Sequence, residues 1–484
     1  LNGHRFEPVH GFRGVILLAI TLLTGGRVVD PRNGVDALLD IEIEDGWISA
    51  VGSSISPRRA ARVLDVSGRV LVPGIIDTHV HLSGGTYRNG HRMVARAGVT
   101  TALDLSADAD LLLEGAAEAG AGLNLAYLET IVPGGTVSGP DPTHAELAAF
   151  IRRARTRGAL GVKVIGGHIP LTPEATARAI RAAHEQGAYI AVHAGSTAHG
   201  SDIEGLEELL QLAEGLPLHA AHINSYCRGQ VTGDPVAESQ RALRALQDAP
   251  NVRSESYLSA LNGVGGFCED GVPRSNVAKT CLRMGGYEAT QEGVAAAIRE
   301  GWANVNADAG GETVLLAGIE GETLWRERGT RVTLSFAVNP PVSSLIMASA
   351  KDAEGRFIVD AISTDGGGIP RNVIVAQGLP LVRAGALSLV EFVQKTSINP
   401  ALMLGVAEKG HLGAGAHADI TVLDLDNCRA VLAIAGGELI MVDGVAVGRG
   451  ARYLTSSDGE AFLRERGQEV QALVGEPVPP RGAV

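Results

Sequence analysis

The hydrophobic and polar positions of this chain change rhythm twice. Between about residues 16 and 71, short alternating runs are broken by Gly and Asn. Ala37–Glu44, Gly46–Gly52 and Arg62–Val66 read as strands of a small β unit. Val70–Val72 begins a further strand, Pro73-Gly74 interrupts it, and Ile75–His81 resumes it. From there, apolar runs alternate with amphipathic helical stretches. Val99–Leu105, Leu123–Val132, Gly161–Ile165, Ala188–His193, Leu216–His222 and Val252–Leu258 each follow such a stretch, which predicts parallel strands in an α/β fold. Thr172 ahead of Pro173 is a strong helix start. Residues 259–357 break the rhythm with Gly-rich turns, a helical stretch near 290–300 and a strand-like Val332–Val338. Phe357–Asp365 restores it as an eighth strand, ending in three glycines. Short strands return at Asp419–Leu425, Ala430–Ala435 and Leu439–Val442, and after 452 a surface helix and a loose end are expected.

Eight β-α units predict a closed TIM-like (β/α)8 barrel over residues 72–405, with an insertion at 259–357. The flanking segments 1–71 and 406–484 together predict one small β-sandwich built from both chain ends, plus a tail. Composition adds limits. With 45% apolar and 20% charged residues among 484, the chain is globular, and a net charge of −13 excludes nucleic acid or an anionic membrane as its main partner. Cys227, Cys268, Cys281 and Cys428 are widely spaced, which fits a reducing, cytoplasmic compartment and offers no thiolate zinc site. The apolar run at 15–23 is too short to span a bilayer and reads as a first strand, while residues 1–14 carry no assignable role.

Catalytic groups of such barrels sit at the C-terminal strand ends. The first strand ends in His79 and His81, on the same face as Asp77. The fifth ends in His193, the sixth in His222 and the eighth in Asp365, and the fourth carries Lys163. A lone strand-end histidine is most often structural, but six metal-ligand side chains on one rim point to a metal centre. Lys163 is one of only five lysines, and the other four fall outside the barrel strands. A strand ammonium among apolar neighbours is costly unless paired or deprotonated, and a neutral amine can take up carbon dioxide as a carbamate that bridges two metal ions. The bland reading is a snorkelling or ion-paired lysine.

The Pro73-Gly74-x-x-Asp77-x-His79-x-His81 stretch, the strand lysine, the two later histidines and Asp365 together resemble the amidohydrolase superfamily, nearest its hydantoinase, dihydropyrimidinase and N-acyl-amino-acid deacylase branch. Thr396–Gly405, Lys409–Leu412 and Ala418–Ile420 resemble that family's return to its β-sandwich. The resemblance implies His79 and His81 on one divalent metal ion and His193 and His222 on a second, with zinc expected for both. Carboxylated Lys163 would bridge them. Asp365 would bind the first ion and act as general base, then general acid, as a metal-activated hydroxide cleaves a non-peptide C–N bond. His219, three residues before His222, is the rival ligand and should face the other side of its strand.

The loops depart from the family's better-known members. Hydantoinases carry an oxyanion-stabilising tyrosine after the strand-four lysine, and here His168 stands in that loop. D-aminoacylases bridge their metals with a cysteine, against which Lys163 argues. Arg228 is a candidate for holding a substrate carboxylate, against a surface role, and Tyr257 is a candidate substrate contact, against a packing role that also suits Tyr226. The leading expectation is hydrolysis of a cyclic amide or an N-acyl amino acid by a homo-oligomeric enzyme. A mononuclear deaminase of a heterocyclic amine is the runner-up, and a non-catalytic barrel scaffold is third.

Overall fold

Buried strands flanked by capped helices build one parallel sheet in chain order. In a computed structural model, which describes residues 20–83 and 88–473, the strands Ile75–His81, Val99–Ala107, Leu123–Ile131, Gly161–Val164, Tyr189–Val192, Leu218–Ala220 and Val252–Tyr257 lie side by side. The expectations for residues 1–14, for 15–19 of the first strand and for the tail beyond 473 lie outside the described residues. The helices between the strands start on side-chain caps, except the first, Gly90–Arg96. Thr143 accepts from the Glu146 amide and Thr172 from the Ala175 amide, with Pro173 opening its helix.

The eighth strand comes in two pieces. Ala361–Ser363 pairs with Glu255–Tyr257, whereas Gly366–Gly367 pairs with Val80–His81, so the two ends of the strand order meet at Thr364-Asp365. Gly367 has φ +78°, and a Cβ there would lie 2.3 Å from the His81 carbonyl oxygen, so only glycine lets this seam close. The expected barrel is thus the observed one.

A second, nine-stranded sheet joins the chain ends. Val70–Pro73 pairs antiparallel with Ile420–Leu423 and parallel with Arg27-Val28, and Leu23, Val28, Ile41, Leu71, Ile420 and Val422 fill the core beneath. The chain then enters the barrel through Gly74, where a Cβ would meet Thr100 Oγ1 at 2.2 Å.

Two regions differ from expectation. Residues after Tyr257 form a small unit with a four-stranded antiparallel sheet and its own core around Cys281, Ile298, Trp325 and Phe336. The helix Pro341–Ser349 packs instead on barrel helix Pro235–Gln247 and strand Val252–Tyr257, which ends the inserted unit near residue 340 and not 357. The tail is also more ordered than a surface helix and a loose end. Ala451–Thr455 pairs parallel with Leu123–Leu125 and buries Tyr453 and Leu454. The reason lies in register: the neighbouring strand Gly161–Val164 pairs only from Leu128 onward, which leaves the start of the third strand an open edge. Among the described residues, no helix is long and apolar enough to cross a membrane.

Candidate active site

The strand ends deliver their side chains to one place. His79, His81, Lys163, His193, His222 and Asp365 all line a single cavity of about 350 Å³, together with His168. His79, His222 and Asp365 each bring one donor atom within 4.8 Å of the others, and all three are buried. Ring centroids lie 5.2 Å apart for His79–His81 and His79–His222, and 4.4 Å apart for His193–His222. His222 and Asp365 both hold left-handed backbones, φ 37° and 51°. Each such residue costs about 1–2 kcal/mol, and this strain sits on two members of the closest donor group. The turn at His222 also explains why the sixth strand stops at Ala220.

Each of the four histidines has a ring nitrogen tied by a hydrogen bond, and His81 has both, its Nε2 meeting Asp365 Oδ1 at 2.8 Å. His79 Nδ1 meets Glu255 Oε1 at 2.8 Å, His81 Nδ1 meets Ser106 Oγ at 2.5 Å, His193 Nε2 meets Ser201 Oγ at 2.6 Å and His222 Nδ1 meets Ser225 Oγ at 2.6 Å. These bonds fix the ring orientations, and the Glu255 carboxylate also makes Nδ1 of His79 the protonated nitrogen, leaving its Nε2 to face the cluster, as histidine ligands of a metal require. Burial pushes His79 down to about 4 and holds His193 and His222 well below the ordinary imidazole value. They are therefore neutral, the form that donates to a cation.

Lys163 is 3% exposed, and its Nζ has no hydrogen-bond partner among the described residues. Burial lowers its ammonium to about 8, against the pull of Glu255 and Asp365. A buried amine close to neutrality, with nothing bonded to it, suits a carbamate or a metal-facing role better than a structural cation.

Asp365 is gripped from both sides. Its Oδ2 pairs with Arg371 Nη2 at 2.6 Å, and its Oδ1 faces His81 Nε2 at 2.8 Å and His79 Nε2 at 3.2 Å. Burial alone would raise its pKa, but Arg371 and His79 outweigh it and hold the carboxylate well below the usual range. Arg371 also donates from Nε to the Asp365 carbonyl at 2.5 Å and lies over the Tyr257 ring.

Sequence reasoning missed Arg371 and Glu255. Glu255 is fully buried in the seventh strand, and its Oε1 takes both His79 Nδ1 and the His222 amide (2.7 Å), while Ser363 Oγ bonds Oε2. The segment Val252–Leu258 gave no clear signal, because Glu255 stands there among Arg253, Ser254 and Ser256 in a run that is polar for a barrel strand. Asp77, on the same face of its strand as His79 and His81, accepts from the amides of His79 and Thr364 and so ties the first strand to the eighth. His219 turns away from the cavity to Tyr189 Oη at 3.0 Å, while His222 lines the cavity.

The suggested substrate contacts divide. His168 lines the cavity, hydrogen-bonds Ser275 Oγ at 3.1 Å, and sets its ring 4.7 Å from that of His193. Arg228 and Tyr257 do not line it. The Arg228 guanidinium donates to Asn339 and Asn262 and borders a separate cavity, because those two amide oxygens satisfy it inside the packing layer. Tyr257 is fully buried, and its hydroxyl accepts from Asn339 Nδ2 at 2.9 Å. Tyr226 packs likewise, its hydroxyl accepting from the Ala194 amide.

Neutral, oriented imidazoles, a charged carboxylate and an unbonded buried lysine form a donor set that fits divalent cations. A dihydroorotase from Trichlorobacter lovleyi is 25% identical across 83% of this chain and 89% of its own length. One component of the formyltransferase/hydrolase complex Fhc from Methylorubrum extorquens is 26% identical across 91% of this chain and 92% of its own length. The solved N-acyl-D-glutamate deacylase of Bordetella bronchiseptica, complexed with zinc and a phosphonate inhibitor that mimics the tetrahedral intermediate, superposes with a TM-score of 0.65 at 17% identity, covering 90% of this chain and 98% of that one. The family model for amidohydrolases matches residues 70–208 and 342–449, a little over half the chain, and the matched ranges hold five of the six candidate ligands together with Asp365's partner Arg371, with His222 falling just beyond the first range; the chain belongs to the amidohydrolase family.

Proposed function

We propose that this chain is a metal-dependent hydrolase that cleaves the C–N bond of a cyclic amide or an N-acyl amino acid. The observation that carries the reading is the convergence of six donors on one cavity around the buried, unbonded Nζ of Lys163. His79 and His81 would hold one divalent ion and His193 and His222 a second, with Lys163 as carbamate between them and Asp365 on the first. Such ions, zinc in our reading, supply a water of pKa near 7 and polarise the carbonyl. Asp365 takes the proton from the attacking water and returns it to the leaving nitrogen. Arg371 holds Oδ2 of that carboxylate, which turns Oδ1 toward His79 and His81. His168, on the cavity wall, is placed to donate to the carbonyl oxygen as charge develops there.

Metal analysis of the purified protein, intact mass and a hydrolysis screen over hydantoins, dihydropyrimidines and N-acyl-D- and L-amino acids test this. Two ions per chain, a carbamate on Lys163, and turnover abolished by a chelator and restored by a divalent ion are expected. Turnover indifferent to chelation would refute it. The tight group of His79, His222 and Asp365 supports a second reading, a single-ion deaminase of a heterocyclic amine. One ion per chain, an unmodified lysine and ammonia release would select it.

A further inference from the structure

The cavity has two walls of different origin. The barrel supplies the candidate ligands, and the inserted unit supplies Asn262–Gly265, Phe267, Arg274 and Ser275. Arg274 and Lys163 are the only Lys or Arg side chains among the described lining residues. Arg274 is exposed, and the cavity it lines also carries the apolar side chains of Val264, Phe267, Ile169 and Ile369. Among the described residues, the Arg274 guanidinium makes no ion pair and no hydrogen bond.

Its base is nevertheless held in place. The Arg274 amide donates to the Phe267 carbonyl at 3.0 Å. The next residue, Ser275, caps the helix Asn276–Met284 by accepting from the Ala278 amide at 3.2 Å and bonds His168 Nδ1 at 3.1 Å. His168 in turn lies edge-on to His193 at 4.7 Å. Two contacts therefore register the backbone at Arg274 to a candidate metal ligand.

We propose that Arg274 is a specificity residue that receives an anionic group, a carboxylate, on substrates whose amide lies at the histidine cluster. The inference rests on the hydrolase reading above and narrows it to acidic amides with an apolar body. A planar guanidinium with free donors pairs with a carboxylate through two parallel hydrogen bonds, and because Arg274 is exposed that bidentate geometry, not desolvation, supplies the preference. The carboxylate role suggested from sequence for Arg228 passes to a residue that reaches the cavity.

Binding to the metal-loaded protein tests this with two matched probe pairs. These are N-acetylleucine (both enantiomers) against N-acetylleucinamide, and hydantoin-5-acetic acid against its amide. For at least one pair the wild type should bind the acid about 3- to 10-fold more tightly than the amide. Arg274→Gln should bring that ratio close to one, and Arg274→Lys should restore part of it. A merely solvated arginine would leave the ratio unchanged. Equal binding of acid and amide by the wild type, or a preference that survives Arg274→Gln, overturns the proposal. Hydrolysis is followed in the same samples. Arg274-dependent acid binding without turnover would sustain this inference while sinking the proposed reaction.

Discussion

Glu255→Gln separates the fold from the metal centre most cleanly. The two N–H groups of His79 Nδ1 and His222 converge on Oε1 at 2.8 and 2.7 Å, and Ser363 Oγ meets Oε2. A glutamine can place its oxygen where Oε1 was and its amide nitrogen against the serine hydroxyl, which can accept as well as donate. Every hydrogen bond survives, and only the charge is lost. Burial would raise the pKa of Glu255, yet the ring N–H groups of His79 and of His219, whose Nε2 lies 3.7 Å from Oε1, outweigh it and hold the group ionised, so the charge is present in the native protein. Charge-assisted hydrogen bonds exceed neutral ones by about 1 kcal/mol each, which for the two N–H donors sums to about 2 kcal/mol of weakened ligand basicity and orientation. Zinc affinity should therefore fall about 30-fold, within the roughly 10- to 100-fold span typical of groups behind metal ligands. The assay is competition with a chromogenic chelator on metal-free protein, with urea denaturation of the same samples. Affinity within about twofold of wild type at unchanged stability would refute the reasoning.

Two further outcomes follow from buried residues. Metal-free Lys163→Met should exceed wild type in stability by about 3 kcal/mol at pH 7, since the folded amine titrates near 8 and the unfolded one near 10.5. The unfolded chain binds the extra proton between those values, so wild-type stability rises with pH there and the advantage of the variant should vanish above pH 10.5. Denaturant midpoints across about pH 7–11 check it, and a pH-independent difference would contradict it. Leu454→Ala should cost about 2–5 kcal/mol by urea denaturation, because its side chain is fully buried beside the third barrel strand. A loss under about 0.5 kcal/mol would mean that the tail strand is dispensable.

Barrel strands and helices were legible because burial on both faces leaves continuous apolar runs and because Thr143 and Thr172 mark helix starts locally. His79, His81, His193, His222 and Asp365 were legible because strand ends can be counted. Glu255 and Arg371 were not, since both matter only through partners 176 and 6 residues away. The strand Ala451–Thr455 escaped notice for a similar reason. Its five residues carry no period of their own, and the edge that recruits them exists only after the third and fourth strands have set their register.

The split of the last strand around Asp365 ties construction to reactivity. Ala361–Ser363 faces one neighbour, Gly366–Gly367 faces the first strand, and the proposed general base sits in the gap between them. Until the glycines zip onto Val80-His81, Asp365 and the first two histidines belong to opposite ends of an open sheet. On the proposed mechanism a half-made or locally unzipped ring would be inert, and turnover would be a census of finished molecules.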